Sequence, residues 1–343
     1  MNPYQDALNN LKEKLLSSSK ERLLCISTTA NKNNPSIYFG SFRETQTTLA
    51  GNIIVRDISL VEKIIEIFDG VVSYFLIDSE VKNEVLDLEA YCTARIKKSK
   101  YLVYKPNDFT VHALDMLIAT RCGSIRGQNV LIVGFGNIGA KIALCLSERG
   151  ANVFAYERNQ EKLTLAVNGL NVIKRSTSDI HPLSDVSGGE EKIDILIGAT
   201  PGTPALDQNI VDKVKSDGMI IDVGNGTLTP DGIGRAHEKK ITIHSLSSLS
   251  GYIGMIENWI FQRNLLAHPA KKEYHGIVLI LPGTLGAFGE ILVDDVKNPQ
   301  KVIGICNGQG DLLSREDAAV YFQTLEKNSV HKDLLAKLHQ LYF

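Results

Sequence analysis

The stretch LIVGFGNIGA, residues 131–140, constrains the fold of this chain more than any other feature. Its apolar start has the character of a buried strand, and KIALCLSE after it has apolar residues at helical spacing. Gly134 allows a tight turn, Gly136 lets a ligand approach the backbone, and Gly139 lets the helix pack close to the strand. The stretch therefore predicts a strand, a glycine turn and a helix, in that order.

The surrounding residues favour a dinucleotide as the ligand of this turn. The N–H groups of Asn137 and Ile138 at the helix start, with the positive end of the helix dipole, are suited to a pyrophosphate. A second strand, NVFAYE, ends in Glu157, which lies 18 residues (157 − 139) past Gly139. A carboxylate at that spacing can accept both hydroxyls of an adenosine ribose. An ordinary turn would explain the glycines but not this acid, so we expect a Rossmann domain that binds NAD.

The choice between NAD and NADP depends on two neighbouring residues. The charge of Glu157 would repel a 2′-phosphate, which favours NAD. Arg158 beside it could pair with that phosphate, or could be a solvated cation or stack on the adenine. NAD is therefore the expected cofactor, with NADP as the alternative.

The chain from residue 129 onward repeats short apolar strands separated by helical or polar segments. NVLIVG, NVFAYE, NVIK, IDILIGA, GMIIDVG and KITIH are the predicted strands. This alternation predicts a doubly wound parallel sheet covered on both faces. Thr200 and Pro201 follow one of these strands, and Gly224 and Asn225 follow the next, where they could border a ribose and nicotinamide. Ordinary turn chemistry would account for the glycine and proline equally well.

The remainder of the chain divides into two further parts. Helices and strands alternate over the first hundred residues without a glycine-rich phosphate loop, which predicts a second α/β domain. We expect a substrate or catalytic domain over 1–108 and a Rossmann NAD(P)-binding domain over 109–265. Residues 266–343 are then a C-terminal segment that packs back on the first domain or forms an oligomer interface.

The order of these parts resembles a group of two-domain NAD(P) enzymes. Methylenetetrahydrofolate dehydrogenase, shikimate dehydrogenase, S-adenosylhomocysteine hydrolase and the amino-acid dehydrogenases belong to it. The run from VGFGNIGAKIAL to VNGLNVI is similar to that of the hydrolase, and IDILIGATPG followed by GMIIDVGNG is similar to the folate dehydrogenases. The resemblance covers residues 105–262 and implies an NAD(P)-dependent activity at the seam between two domains.

Candidate catalytic groups lie where the first domain leads into the second. Lys105 could protonate or polarise a carbonyl or imine, with an ammonium pKa lowered by partial burial, and Asp108 could orient it. Asp108 could instead serve only as the N-cap of the next helix. His112 within that helix is typical of a packed or surface residue. His244, at the end of KITIH, is an alternative acid–base group. The basic stretch RIKKSK has the character of a solvated face, but could attract an anionic substrate.

Composition argues against several other classes of protein. The net charge is −2 among 343 residues, and no stretch combines aromatic and basic residues as nucleic-acid binders do. Apolar runs such as IVLIL are too short to cross a membrane, and the amphipathic start differs from a signal peptide. The five dispersed cysteines without a CxxC favour neither disulfides nor a metal site. We expect a cytoplasmic homo-oligomer, a dimer, with a small-molecule substrate and no nucleic-acid or membrane partner.

These features together predict an NAD-dependent oxidoreductase. Its substrate would be a small polar, anionic carbonyl, imine or alcohol. Two alternatives stay open: an enzyme of the S-adenosylhomocysteine hydrolase kind, which keeps NAD bound for an internal redox step, and a non-catalytic NAD-sensing protein. Net turnover of NADH would indicate the oxidoreductase. Tightly held NAD without net turnover would indicate the hydrolase-like enzyme, and NAD binding alone would indicate the sensing protein.

Overall fold

The structure is a computed structural model that describes residues 4–29, 34–82, 87–186, 192–266, 270–274, 276–328 and 332–342. The chain divides into two compact units, Met1–Met255 and Ile256–Phe343. This boundary falls inside the helix Leu249–Leu266. The predicted bounds 1–108, 109–265 and 266–343 remain predictions.

The first part of the larger unit is an α/β domain around a five-stranded sheet. Its elements are α1 Gln5–Leu16, β1 Glu21–Thr28, β2 Ile37–Glu44, β3 Thr48–Val55, α2 Ser59–Phe68, β4 Tyr74–Asp78, α3 Leu88–Thr93 and β5 Lys100–Tyr104. The strand order is β2-β3-β1-β4-β5, with β2 antiparallel to β3 and the other pairs parallel. One face of the sheet, with Leu24, Ile53 and Phe75, packs against Leu11 and Ile64 of the helices. The predicted second α/β domain is confirmed, although the sequence did not reveal β5.

A six-stranded parallel sheet follows. Its elements are α4 Pro106–Cys122, β6 Asn129–Val133, α5 Asn137–Glu148, β7 Asn152–Tyr156, α6 Gln160–Ile173, β8 Ile180–Pro182, β9 Ile193–Gly198, α7 Gln208–Asp212, β10 Val214–Asp222, α8 Pro230–Glu238, β11 Thr242–Ser245 and α9 Leu249–Leu266. The order β11-β10-β9-β6-β7-β8 reverses its direction between β6 and β9, as in Rossmann folds. Apolar side chains fill both faces of the sheet, since Ile132 belongs to one core cluster and Leu131 to the other. The predicted fold class is confirmed.

One predicted strand is wrong. NVIK does not form a strand, because helix α6 continues through it to Ile173. The edge strand is β8, and Asn171 of α6 holds it by accepting from the backbone N–H of Ile180 and donating to its carbonyl, both at 2.9 Å. The two apolar residues of NVIK are too few to distinguish a helix end from a buried strand by periodicity.

The smaller unit contains a four-stranded sheet and two helices. Its elements are β12 Lys271–Tyr274, β13 Ile277–Ile280, β14 Ile291–Val293, β15 Val302–Ile305, α10 Arg315–Asn328 and α11 Lys332–Tyr342, with strand order β12-β13-β14-β15. The Ser314 hydroxyl accepts from the Asp317 N–H at 3.1 Å and so caps the start of α10. Among the described residues, none of the helices combines the length and apolarity that a bilayer crossing requires.

A single carboxylate anchors the basic stretch RIKKSK. Asp69 accepts the backbone N–H groups of Lys97 at 2.8 Å, Lys98 at 3.0 Å and Ser99 at 2.7 Å. Burial acts to raise the pKa of Asp69, but these N–H donors outweigh it and hold the pKa below its usual value. The side chains of Lys97 and Lys98 are exposed, as expected of a solvated face.

We predict that Asp69→Asn lowers the free energy of unfolding at neutral pH by about 1–3 kcal/mol, because charged hydrogen bonds are lost. A depressed carboxyl pKa stabilises the fold above the unfolded-state pKa, and that contribution disappears as the pH falls through the folded-state pKa. Urea unfolding from pH 7 down to pH 3 measures it. Asp217→Asn, at an exposed carboxylate, is the control. An unchanged difference between the Asp69→Asn variant and wild type across this range would contradict the prediction.

Candidate functional site

The three glycines of the turn after β6 meet three different surroundings. Gly134 has a φ of +98°, and a Cβ there would lie 2.7 Å from the Ala199 carbonyl carbon. A Cβ on Gly139 would lie 2.1 Å from the Gly134 carbonyl oxygen, so this glycine lets α5 approach the strand. A Cβ on Gly136 would meet no atom within 4 Å. Two of the glycines are therefore required by packing, and the third borders open space.

A small cavity opens beside this turn, at the place where the strand order reverses. Its volume is about 200 Å³. It is lined by Val133, Gly134, Gly136, Tyr156, Glu157, Arg158, Ala199, Thr200, Pro201, Thr203, Pro204 and Ala205. Ligands of open parallel sheets bind in the crevice at this point of the topology.

The carboxylate of Glu157 is held in place by the backbone at the mouth of this cavity. One oxygen accepts the N–H of Phe135 in the glycine turn at 3.1 Å, and the other accepts the N–H of Arg158 at 2.9 Å. These bonds fix the orientation of the acid that the sequence assigns to a ribose. Each carboxylate oxygen retains acceptor capacity for a further donor.

A larger cavity of about 750 Å³ lies between the two sheets of the larger unit. The first domain contributes Thr28, Thr29, Glu80, Val81 and Lys82, and the second contributes Asn107, Gly136, Asn137, Ile138, Lys162, Ala199, Thr200, Pro201, Val223, Gly224 and Asn225. With the exception of Gly139, which packs behind the turn, every predicted cofactor residue lines one of the two cavities. The volume is of the size that small-molecule sites occupy.

The loops after β9 and β10 are pressed together at the floor of the larger cavity. A Cβ on Gly224 would lie 1.7 Å from the Thr200 carbonyl oxygen, so only glycine fits. Asn225 has a φ of +56°, a left-handed conformation that asparagine tolerates better than most residues. Asp222 holds the turn by accepting the N–H of Gly226 at 2.7 Å and the hydroxyl of Thr227 at 2.8 Å. Asp222 thus caps the turn that follows β10.

Lys105 and Asp108 form an ion pair at the start of α4. The ammonium of Lys105 lies 2.5 Å from Asp108, and its side chain is 60% exposed. Hydrogen bonding to Asp108, with the charge of that carboxylate, raises the pKa of Lys105. The expected lowering of this pKa is therefore wrong, because the ammonium is exposed and paired.

The expected alternative role of Asp108 is also wrong. Lys105 occupies the N-cap position of α4, and Asp108 lies in the first turn. Asp108 also pairs with Lys141 of α5, so it joins the starts of two helices. A catalytic role for Lys105 and Asp108 stays a prediction.

His244 is the other candidate acid–base group. It is half-buried on β11 beside Ile221, and burial, helped by the charge of Arg121, lowers its pKa. Its catalytic role stays a prediction. His112 is exposed, as expected of a surface residue.

Sequence reasoning missed the ionisable residues that follow β4. Asp78 is buried, and one of its oxygens accepts the N–H of Thr28 at 3.0 Å and the ammonium of Lys82 at 2.7 Å. Lys82 also lies 3.2 Å from Glu80, and its side chain is only 14% exposed. Glu80 accepts the N–H of Asn107 at 3.1 Å and so caps α4. The signal was DSEVK, charged residues directly after a buried parallel strand.

Comparison with known proteins agrees with this geometry. Residues 112–231 match the NAD-binding domain of the D-isomer specific 2-hydroxyacid dehydrogenases, a match that covers 120 of 343 residues. Its range includes the glycine turn, Glu157 and the loops after β9 and β10.

Several solved structures are similar to the chain at low identity. They include a dipicolinate synthase polypeptide from Bacillus halodurans (16% identity, 73% of this chain and 80% of that chain, TM-score 0.37), shikimate dehydrogenase from Aquifex aeolicus (14%, 71% and 93%, 0.43) and D-lactate dehydrogenase from Salmonella (13%, 64% and 78%, 0.34). Likeness at this level carries no argument about the substrate. The glycine turn, its crevice and the NAD-binding match together define an NAD(P)-dependent oxidoreductase with a Rossmann domain.

We predict that Gly136→Val abolishes NAD binding while leaving the fold intact, because the new side chain enters open space that a pyrophosphate would occupy. Calorimetry with NAD, together with a thermal unfolding curve, measures both effects. Gly139→Val is the matched comparison. It places a side chain against the Gly134 carbonyl and should destabilise the fold by at least about 1–3 kcal/mol. Unchanged NAD affinity in a folded Gly136→Val variant would remove the turn from the cofactor site.

Proposed function

We propose that this chain transfers a hydride between NAD and a small polar, anionic substrate that carries a carbonyl, imine or alcohol. The observation that carries the proposal is the larger cavity. The glycine turn and the loops after β9 and β10 line one side of it, and Lys82 of the first domain lines the other. A cofactor and an ionisable side chain suited to proton transfer would then meet in one cavity.

The residues of the second domain fit a dinucleotide. Gly136 borders open space, the N–H groups of Asn137 and Ile138 lie at the start of α5, and Glu157 is fixed at the crevice. Bound NAD would supply a nicotinamide carbon that accepts or donates the hydride. Thr200 and Asn225 border the space where that ring would lie. The cation Lys162, which sequence reasoning missed, also lines this side of the cavity.

The first domain offers the group for proton transfer. Oxidation of an alcohol or reduction of a carbonyl moves a proton at the substrate oxygen as well as a hydride at carbon. Lys82 is suited to that step because it lines the cavity and because Asp78 and Glu80 position its ammonium. We therefore propose Lys82 as the group that holds this proton, with Lys105 as the competing candidate from sequence.

The preference for NAD is tested at Glu157. We predict that Glu157→Ala weakens NAD binding and improves NADP binding relative to it, because ribose hydrogen bonds worth at most about 1.5–3 kcal/mol each are lost together with a repulsive charge. Calorimetry with both dinucleotides measures the ratio of the two dissociation constants. Glu157→Gln is the control, since it keeps an acceptor for the Phe135 N–H but removes the charge. A wild-type protein that prefers NADP would make Arg158 the deciding residue instead.

The activity is tested by following NADH absorbance over a panel of small 2-oxo, 2-imino and 2-hydroxy carboxylates. With a substrate found there, we predict that Lys82→Met lowers kcat by about 10²–10⁴-fold, the usual loss for a general acid–base group. NAD affinity should stay near the wild-type value. Lys105→Met is the matched comparison at an exposed ammonium and should retain most of kcat.

Two results would count against these assignments. A large loss in Lys105→Met with a near-normal Lys82→Met enzyme would transfer the role to the exposed pair with Asp108. NAD that is bound without net turnover across the panel would contradict a dehydrogenase and favour the hydrolase-like or sensing alternatives.

A further inference from the structure

Three buried polar atoms in the first domain and α9 have no nitrogen or oxygen hydrogen-bond partner among the described residues. They are the Arg43 Nη1, the Asn52 Oδ1 and the Tyr252 hydroxyl. Tyr252 is fully buried and Asn52 is 7% exposed. A buried polar group without a partner costs free energy, and such groups are uncommon in folded proteins. Three of them in one neighbourhood indicate a place for a ligand.

These atoms surround one spot on the sheet face that α4 and α9 cover. The guanidinium of Arg43 lies 5.2 Å from the ring centre of Phe109 in α4 and 5.0 Å from that of Tyr252 in α9. Cys25 on β1 is the register partner of Asn52 on β3, so both side chains are on the same face. The Cys25 thiol interacts with Arg43 and Tyr252, but a thiol is only a weak hydrogen-bonding group.

The charge of Arg43 has no carboxylate counterion within the described ranges of the chain. The structure shows no ion pair between this guanidinium and an Asp or Glu in the part of the chain that it describes. Burial raises the pKa of the Cys25 thiol and of the Tyr252 hydroxyl, so neither supplies a negative charge near neutral pH. A guanidinium that is always protonated and packed between two rings is therefore suited to an anion that enters from outside.

The spot lies on the same sheet face as Asp78, which pairs with Lys82 of the larger cavity. Tyr104 on β5 is the register partner of Asp78 on β4. Asp78 lies two residues after Leu76, the register partner of Cys25, so Cys25, Asp78 and Tyr104 are on the same face of the sheet. Cys25 and Asp78 both influence the hydroxyl of Tyr104, whose pKa burial raises. Asp78 in turn holds Lys82 in the cavity. Tyr104 thus interacts with Cys25 of the Arg43 cluster and with Asp78, which holds the proposed proton-transfer group.

We propose that Arg43, Tyr252 and Asn52 bind the carboxylate end of a small acid that carries a neighbouring hydroxyl or amino group. The Arg43 and Tyr252 donors match the two oxygens of a carboxylate, and the Asn52 Oδ1 accepts from the neighbouring hydroxyl or amino group. The three atoms are shielded from solvent, and glycolate is the smallest acid that carries both a carboxylate and a neighbouring hydroxyl. The binding site itself does not depend on the proposed function. Only the statement that this acid is the substrate rests on it.

Calorimetry with three small probes tests the site in the full-length protein. We expect glycolate to bind most tightly, acetate more weakly because it lacks the hydroxyl, and glycolamide least because it lacks the charge. Sodium chloride at equal ionic strength controls for general screening. No measurable glycolate binding, or equal binding of glycolate and glycolamide, would overturn the proposal.

Variants then test the residues. Arg43→Met should weaken glycolate binding by about tenfold or more, since a charged hydrogen bond is lost. Tyr252→Phe removes only a hydroxyl and should also weaken binding, which keeps the test decisive if Arg43→Met does not fold. Arg22→Met, at another half-exposed arginine of this sheet, should bind as wild type. Wild-type affinity in both Arg43→Met and Tyr252→Phe would overturn the assignment.

Failure of this inference can be distinguished from failure of the proposed function. NAD is titrated into the same protein samples, because its residues lie in the second domain. Intact NAD binding without glycolate binding overturns the carboxylate site alone. Glycolate binding that depends on Arg43, in a protein that does not bind NAD, supports the carboxylate site and overturns the proposed function.

Discussion

The close approach of the glycine turn to the loop after β9 is the constraint on which the functional part of this molecule depends. At Gly134 the backbones of two loops are so near that a single carbon atom would not fit between them. This contact lies where the sheet order reverses, so it closes the inner end of the crevice and leaves its outer end open. The same principle recurs at Gly224 and the Thr200 carbonyl, and the two contacts together shape the wall of both cavities.

The opposite wall is organised by charge. Buried Asp78 is stabilised by the Thr28 N–H and by Lys82, and it fixes the segment that carries Glu80 and Lys82 into the larger cavity. A buried carboxylate is costly unless its acceptors are satisfied. Each hydrogen bond to the Asp78 carboxylate also positions a residue that lines the cavity. The same bonds therefore stabilise the fold and arrange the site.

The sequence predicted the structure correctly where a local pattern is compatible with only one type of secondary structure. Glycines between a strand and a helix, followed by Glu157 at the end of the next strand, predicted the Rossmann domain and residues that line its cavities. The pattern at β5 was ambiguous, because KYLVY is short and follows a run of cations. NVIK was equally short, and only the side chain of Asn171 shows why the helix continues there.

Catalytic candidates were harder to predict because their properties depend on long-range contacts. The sequence placed Lys105 at the start of the connecting helix correctly, but its exposure and its pairing with Asp108 are features of the folded chain. Lys82 was missed because its importance comes from Asp78 and Glu80 on one side and from loops more than a hundred residues away on the other. The Arg43 Nη1 has no nitrogen or oxygen hydrogen-bond partner among the described residues, and no local sequence pattern predicts this. Whether a buried atom has a partner depends on every residue that surrounds it in the fold.

Glu80 has two partners of different kinds. It accepts a free N–H in the first turn of the helix that leads into the second domain, and it neutralises part of the charge of Lys82. An anion that drew Lys82 towards itself would leave Glu80 with the positive end of α4 as its remaining partner. Glu80 therefore couples the charge of the cavity to the connection between the two domains. A change of charge in the cavity acts on the hydrogen bond by which the first domain holds the first turn of α4.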